Sequence, residues 1–107
     1  MGRIIRCSYA LARKLIPPSA AYFKGRSMRL RRGEAVSWHT TGTREEVLIV
    51  LRGAAAVEYD RAPHRRARAR VRAGECAFIP RHTRHRVRNP FPTPLRYLYF
   101  TAGSTRC

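Results

Sequence analysis

The side chains in this sequence that could perform acid–base, nucleophilic or metal chemistry include four histidines, three cysteines and six carboxylates. Three of these stand in a suggestive order. His39 closes one β-favouring run, Glu46 opens the most apolar run seven positions later, and His85 lies in a third run. A carboxylate entering an apolar strand is costly unless it is paired, hydrogen-bonded or bound to metal. Two neutral imidazoles and one carboxylate form the facial set of non-haem iron, which Zn, Mn, Ni or Co also accept. For either histidine alone, a hydrogen-bonded place in the core is the competing reading. No separate acid or base stands out, so the catalytic residues are unknown at this level. Trp38, Tyr97 and Tyr99 could line a pocket, although strand aromatics are core by default. His64 is expected in a solvated turn and His82 in the turn before His85. Glu45 is expected to face outward and pair with Arg44 or Arg52, and Cys76 to be a small buried residue.

The elements that would position these residues read as strands. Short β-favouring runs occur at 36–39, 47–51, 55–59, 67–71, 76–79, 85–89 and 95–100, with weaker ones at 22–23 and 28–30. Turn residues separate them at 32–33, 52–53, 60–63, 73–74, 89–90 and 92–94. Many short strands at near-regular spacing predict an all-β antiparallel sandwich or barrel. Residues 66–72 alternate Arg with Ala or Val, so Arg66, Arg68, Arg70 and Arg72 share one face. Arg84, Arg86 and Arg88 repeat the pattern opposite His85 and Val87. Val47–Leu51 is apolar on both faces and calls for cover on both sides. A homodimer is therefore expected, with a lid from residues 1–19 as the alternative.

Residues 33–53 and 74–89 together resemble the two motifs of the cupin superfamily. Gly33, His39, Glu46 and Gly53 fall in register with the first motif, and Gly74, Pro80, His85 and Asn89 with the second. His82 replaces a motif glycine. The resemblance implies a double-stranded antiparallel β-barrel of jelly-roll type over residues 20–103. A short N-terminal extension, 1–19, precedes it and a tail, 104–107, follows. The resemblance also implies a divalent transition metal held by His39, Glu46 and His85. Thr41 stands where a further histidine ligand is expected, and a hydroxyl is a poor substitute for imidazole on such a metal. Three outcomes stay open: a three-ligand site, recruitment of His82 or Cys76, or loss of the metal.

Composition bounds the function. The 107 residues carry a formal charge of +17, from 21 Arg and two Lys against six acids. A hydrophobic content of 44% supports a packed core. No apolar run is long enough to span a membrane. Three scattered cysteines exclude a disulfide scaffold and fit a reducing, cytoplasmic location. The start of the chain has Ile5, Tyr9, Ala12 and Ile16 at helical spacing among Arg3, Arg6, Arg13 and Lys14. That pattern resembles an import presequence or a membrane-surface helix, but a short element packed on the domain is the simpler reading. The leading functional expectation is a metal-binding small-molecule cupin. It would be an isomerase or oxygenase acting on an anionic carboxylate or sugar phosphate. The alternative is a non-enzymatic ligand-binding module that has lost part of its metal site. Arginine-mediated nucleic-acid binding ranks third, because the sequence shows no interleaving of basic and aromatic residues and no recognition helix.

Overall fold

The computed structural model describes residues 2–103; the tail at 104–107, with Cys107, lies outside them. Eight strands follow in order: β1 (Lys24–Leu30), β2 (His39–Thr40), β3 (Glu45–Arg52), β4 (Ala54–Ala62), β5 (Arg65–Arg72), β6 (Cys76–Ile79), β7 (Arg84–Arg88) and β8 (Leu95–Ala102). They form two four-stranded antiparallel sheets, ordered β1-β8-β3-β6 and β2-β7-β4-β5. The fold class is the expected all-β jelly roll, but the two sheets face each other without closing into one hydrogen-bonded barrel.

Two-residue alternation sorts every strand into an inner and an outer row. On β3, Glu46, Leu48 and Val50 are buried, while Val47, Ile49 and Leu51 are more exposed. Glu46 lies opposite Thr101, Leu48 opposite Tyr99 and Val50 opposite Tyr97. In the second sheet His85 lies opposite Tyr59, and Val87 opposite Val57. The interior is therefore layered. Leu30, Val50, Ala55 and Leu95 belong to an apolar core at one end, Tyr97 belongs to the same core and reaches toward Glu46, and Glu46 and His85 lie toward the other end.

Gly53 makes the corner between the sheets. It has φ +77°, and a Cβ there would lie 2.6 Å from the Pro94 carbonyl oxygen. Only glycine tolerates both conditions. Asn89, fully buried, ties the opposite connection together. Its amide donates to the Leu30 and Thr93 carbonyls at 3.0 and 3.1 Å, and its oxygen accepts from Phe91 N at 3.1 Å.

Some element boundaries differ from expectation. The run at 36–39 pairs regularly only at His39–Thr40; before it, Ala35 makes a single bridge to Arg88 and Val36 N donates to the Val87 carbonyl. β4 continues through Asp60 to Ala62 by way of a bulge, so the hairpin turn is Pro63-His64. The helical spacing near the N-terminus yields one turn near Ser8 and no helix. The extension instead joins the edge of β1: Lys14 bridges Arg26, and Leu15 N donates to the Gly25 carbonyl. Among the described residues, no helix is long and apolar enough to cross a membrane.

Candidate metal centre

The two sheets bring His39, Glu46 and His85 together. β2 and β7 pair the histidines directly, and β3 supplies the carboxylate from the facing sheet. One potential ligand atom from each residue lies within 4.8 Å of the others. The imidazole centroids are 4.3 Å apart and the rings are inclined at 61°. His85 is wholly buried, Glu46 nearly so, and His39 is exposed. The cluster is thus sealed on one side and open on the other.

The backbone presets both rings. His39 Nδ1 lies 2.9 Å from the Ser37 carbonyl oxygen, and His85 Nδ1 lies 3.0 Å from that of Thr83. A carbonyl only accepts, so each Nδ1 is the donor and, in the neutral ring, each Nε2 keeps its lone pair. A hydrogen bond from the far ring nitrogen to a fixed carbonyl is what orients metal-binding histidines. His85 Nε2 is buried without a hydrogen-bond partner among the described residues and lies 3.6 Å from Glu46 Oε2. That distance is too long for a hydrogen bond. Burial pushes the His85 imidazole pKa down; Glu46 and the Thr83 carbonyl push it up and prevail. A cation among the three residues would satisfy the orphaned nitrogen and balance the buried carboxylate.

Thr41 is absent from this cluster. Its hydroxyl donates to the Pro80 carbonyl at 2.7 Å and accepts from Thr83 N at 3.1 Å. It stitches the end of β2 to the β6–β7 turn. His82 lies in that turn at φ +56°, with its N–H donating to the Gly42 carbonyl. The backbone keeps the left-handed conformation suited to the motif glycine that His82 replaces. Cys76 is exposed rather than buried, because its strand position faces outward. Neither His82 nor Cys76 joins the cluster.

Tyr97 and Tyr99 occupy the inner row beside the site. Burial, reinforced by Tyr99 and Glu46, raises the Tyr97 phenol far above its ordinary range. Burial also raises Tyr99, with Arg26 opposing and Glu46 adding to it. Both phenols therefore stay protonated, able to donate. Trp38 lies on the outer face of the second sheet instead, beneath Arg66, Arg84 and Arg86. The residue before an inward His39 must point outward. Glu45 is exposed, and Arg44 turns to the carbonyls of Tyr22, Thr101 and Gly103. Two inner-row residues escaped the sequence reading: Tyr59, paired with His85, and Arg26, opposite Tyr99. Pairing register alone could have revealed them.

Comparison with known proteins agrees with this architecture. Residues 26–101 match the family model described as "Cupin domain". An RmlC-like cupin family protein of Methanocaldococcus jannaschii superposes with a TM-score of 0.72 at 16% identity, covering 94% of this chain and 87% of the other. A protein of Bacillus halodurans gives 0.76 at 22% identity, covering 94% and 75%. A predicted oxalate decarboxylase of Thermotoga maritima gives 0.73 at 19% identity, covering 84% and 76%. No protein of curated function matches the sequence.

Proposed function

The chain belongs to the cupin family, and we propose that it is a metal-binding small-molecule cupin whose ligands are His39, Glu46 and His85. The observation that carries this reading is the buried, unpartnered Nε2 of His85 beside Glu46, on a ring whose other nitrogen is anchored. When bound, Fe, Mn, Zn, Ni or Co would supply Lewis-acid polarisation, or a template for O₂ if the metal is iron. The chain's own residues bind and orient the substrate. Exposed His39 marks the open side. Tyr97 and Tyr99 offer neutral donors along the inner wall, and Arg26 adds positive charge near Tyr99.

These groups favour a small anion, a carboxylate or sugar phosphate, as substrate for isomerisation or oxygenation. The Thermotoga neighbour named for oxalate, a dicarboxylate, accords with that class. A second reading is a ligand-binding module without catalysis; the commitment of Thr41 to the β6–β7 turn favours it by leaving only three ligands. A cytoplasmic setting accords with free Cys7 and Cys76.

We also propose a homodimer. Val47, Ile49, Leu51, Cys76 and Phe78 form an arginine-free strip on the outer face of the first sheet. Two chains of +17 would meet at least electrostatic cost on such a strip.

Elemental analysis of freshly purified protein tests the metal reading. One transition metal per chain is expected, lost in His39→Ala while the fold is kept. No metal in the wild type after added Fe, Mn or Zn, or an unchanged content in His39→Ala, would overturn it.

A further inference from the structure

The outer face of the β2-β7-β4-β5 sheet is independent of the metal cluster. Arg66, Arg68, Arg70 and Arg72 project from β5, the sheet's edge strand, and Arg84, Arg86 and Arg88 from β7. Between them the same face of β4 carries Ala54, Ala56 and two carboxylates, Glu58 and Asp60. Glu58 is held by Arg86 at 2.6 Å and Arg88 at 3.5 Å. Asp60 lies 3.7 Å from Arg66 and 3.5 Å from Arg84. Arg68, Arg70 and Arg72 are exposed, and among the described residues their guanidinium groups make no ion pair with a carboxylate.

The fold also supplies aromatics that the linear sequence does not interleave with these arginines. Trp38 lies 4.4 Å from the Arg66 guanidinium carbon, 4.5 Å from that of Arg84 and 5.1 Å from that of Arg86. Phe91 lies 4.5 Å beneath Arg70. Arginines gathered over rings can combine cationic charge with surfaces suited to stacking a nucleobase.

From this juxtaposition we infer that the arginine face binds single-stranded nucleic acid, tracking its phosphates along β5 without reading sequence. Alternate residues on a strand recur about every 6.6 Å, a spacing that matches successive phosphates of an extended polynucleotide. A single strand can follow this straight row, whereas the phosphates of a duplex curve away from it. Charge complementarity favours a polyanion, and the adjoining aromatic–arginine stacks favour one with bases.

Fluorescence anisotropy with a labelled oligothymidylate about 12 nucleotides long, in about 150 mM salt, tests the inference. The variant Arg68→Ala/Arg70→Ala/Arg72→Ala is compared with Arg29→Ala/Arg31→Ala/Arg32→Ala, which removes equal charge from exposed positions elsewhere. Sub-micromolar wild-type binding is expected. The β5 triple should weaken it about tenfold or more and flatten the salt slope by about two, near 0.7 per lost phosphate contact. The control triple should stay within about twofold of wild type, because its arginines lie off the track. If the β5 triple melts early, the Lys triple at the same positions replaces it and should retain the salt slope. Equal weakening in both Ala triples would overturn the inference. So would absent wild-type binding at this salt, or tighter binding of duplex DNA or heparin than of the single strand.

Discussion

The six acids fall into four settings, which show how an arginine-rich chain uses few carboxylates. Glu34 and Glu75 accept backbone N–H bonds from Arg31 and Arg72, at 2.6 and 2.8 Å, closing two turns. Glu46 joins His39 and His85, Glu58 and Asp60 meet arginines, and Glu45 is exposed. Burial pushes the Glu58 carboxyl up, but Arg86 and then Arg88 outweigh it and leave its pKa lowered. Its stabilising contribution is therefore full above the ordinary glutamate value, about 4.3, and is lost as pH falls through the lower folded value. Glu58→Gln should cost about 1 kcal/mol near neutrality, after discounting for the partly exposed arginines. The difference from wild type should shrink below about pH 4; urea unfolding across pH measures both. Thr41 makes a second residue-scale case. Thr41→Val should destabilise by about 1–3 kcal/mol, since it leaves Thr83 N without its acceptor, yet should keep the wild-type metal content. Loss of metal with an intact fold would instead give Thr41 a direct role at the site.

At the scale of elements, the corner at Gly53 carries the β3–β4 crossover between sheets. Gly53→Ala should cost about 2 kcal/mol or more through backbone strain and the close Pro94 oxygen, read as a lowered denaturant midpoint. Much of this level was legible in the sequence, for identifiable reasons. The alternation at 66–72 assigned the arginines one face, and Glu46 in an apolar run marked an inward carboxylate. Motif glycines located turns because positive φ restricts the residue type. What escaped depends on contacts distant along the chain. The Thr41 hydroxyl finds its partners about forty positions away, at Pro80 and Thr83. Trp38 meets Arg66, Arg84 and Arg86 only through cross-strand assembly. The extension forms no helix, and its backbone at Arg13, Lys14 and Leu15 pairs with β1 instead, as backbone pairing outcompetes a short, proline-ended helix.

At the scale of the whole molecule, the outer faces of β5 and β7 differ in character from those of β3 and β6. The second sheet carries the arginine rows outward, while the first exposes Val47 and Phe78. Phe78→Arg should convert a dimer to a monomer in sedimentation equilibrium, by placing two like charges across the proposed interface. The His39–Glu46–His85 cluster is also a whole-molecule property, because its histidines and its carboxylate come from opposite sheets. On the proposed reading, a metal bound there would clamp the two sheets and stabilise the native state by linkage. The most direct test of this central claim is the melting midpoint of metal-free protein with and without added metal, in wild type and in Glu46→Gln. At a hundredfold excess over the dissociation constant the wild type should gain about 2.7 kcal/mol, or roughly 10 °C, and Glu46→Gln little or nothing. An unmoved wild-type midpoint under every metal offered, or an equal rise in the variant, would contradict the account.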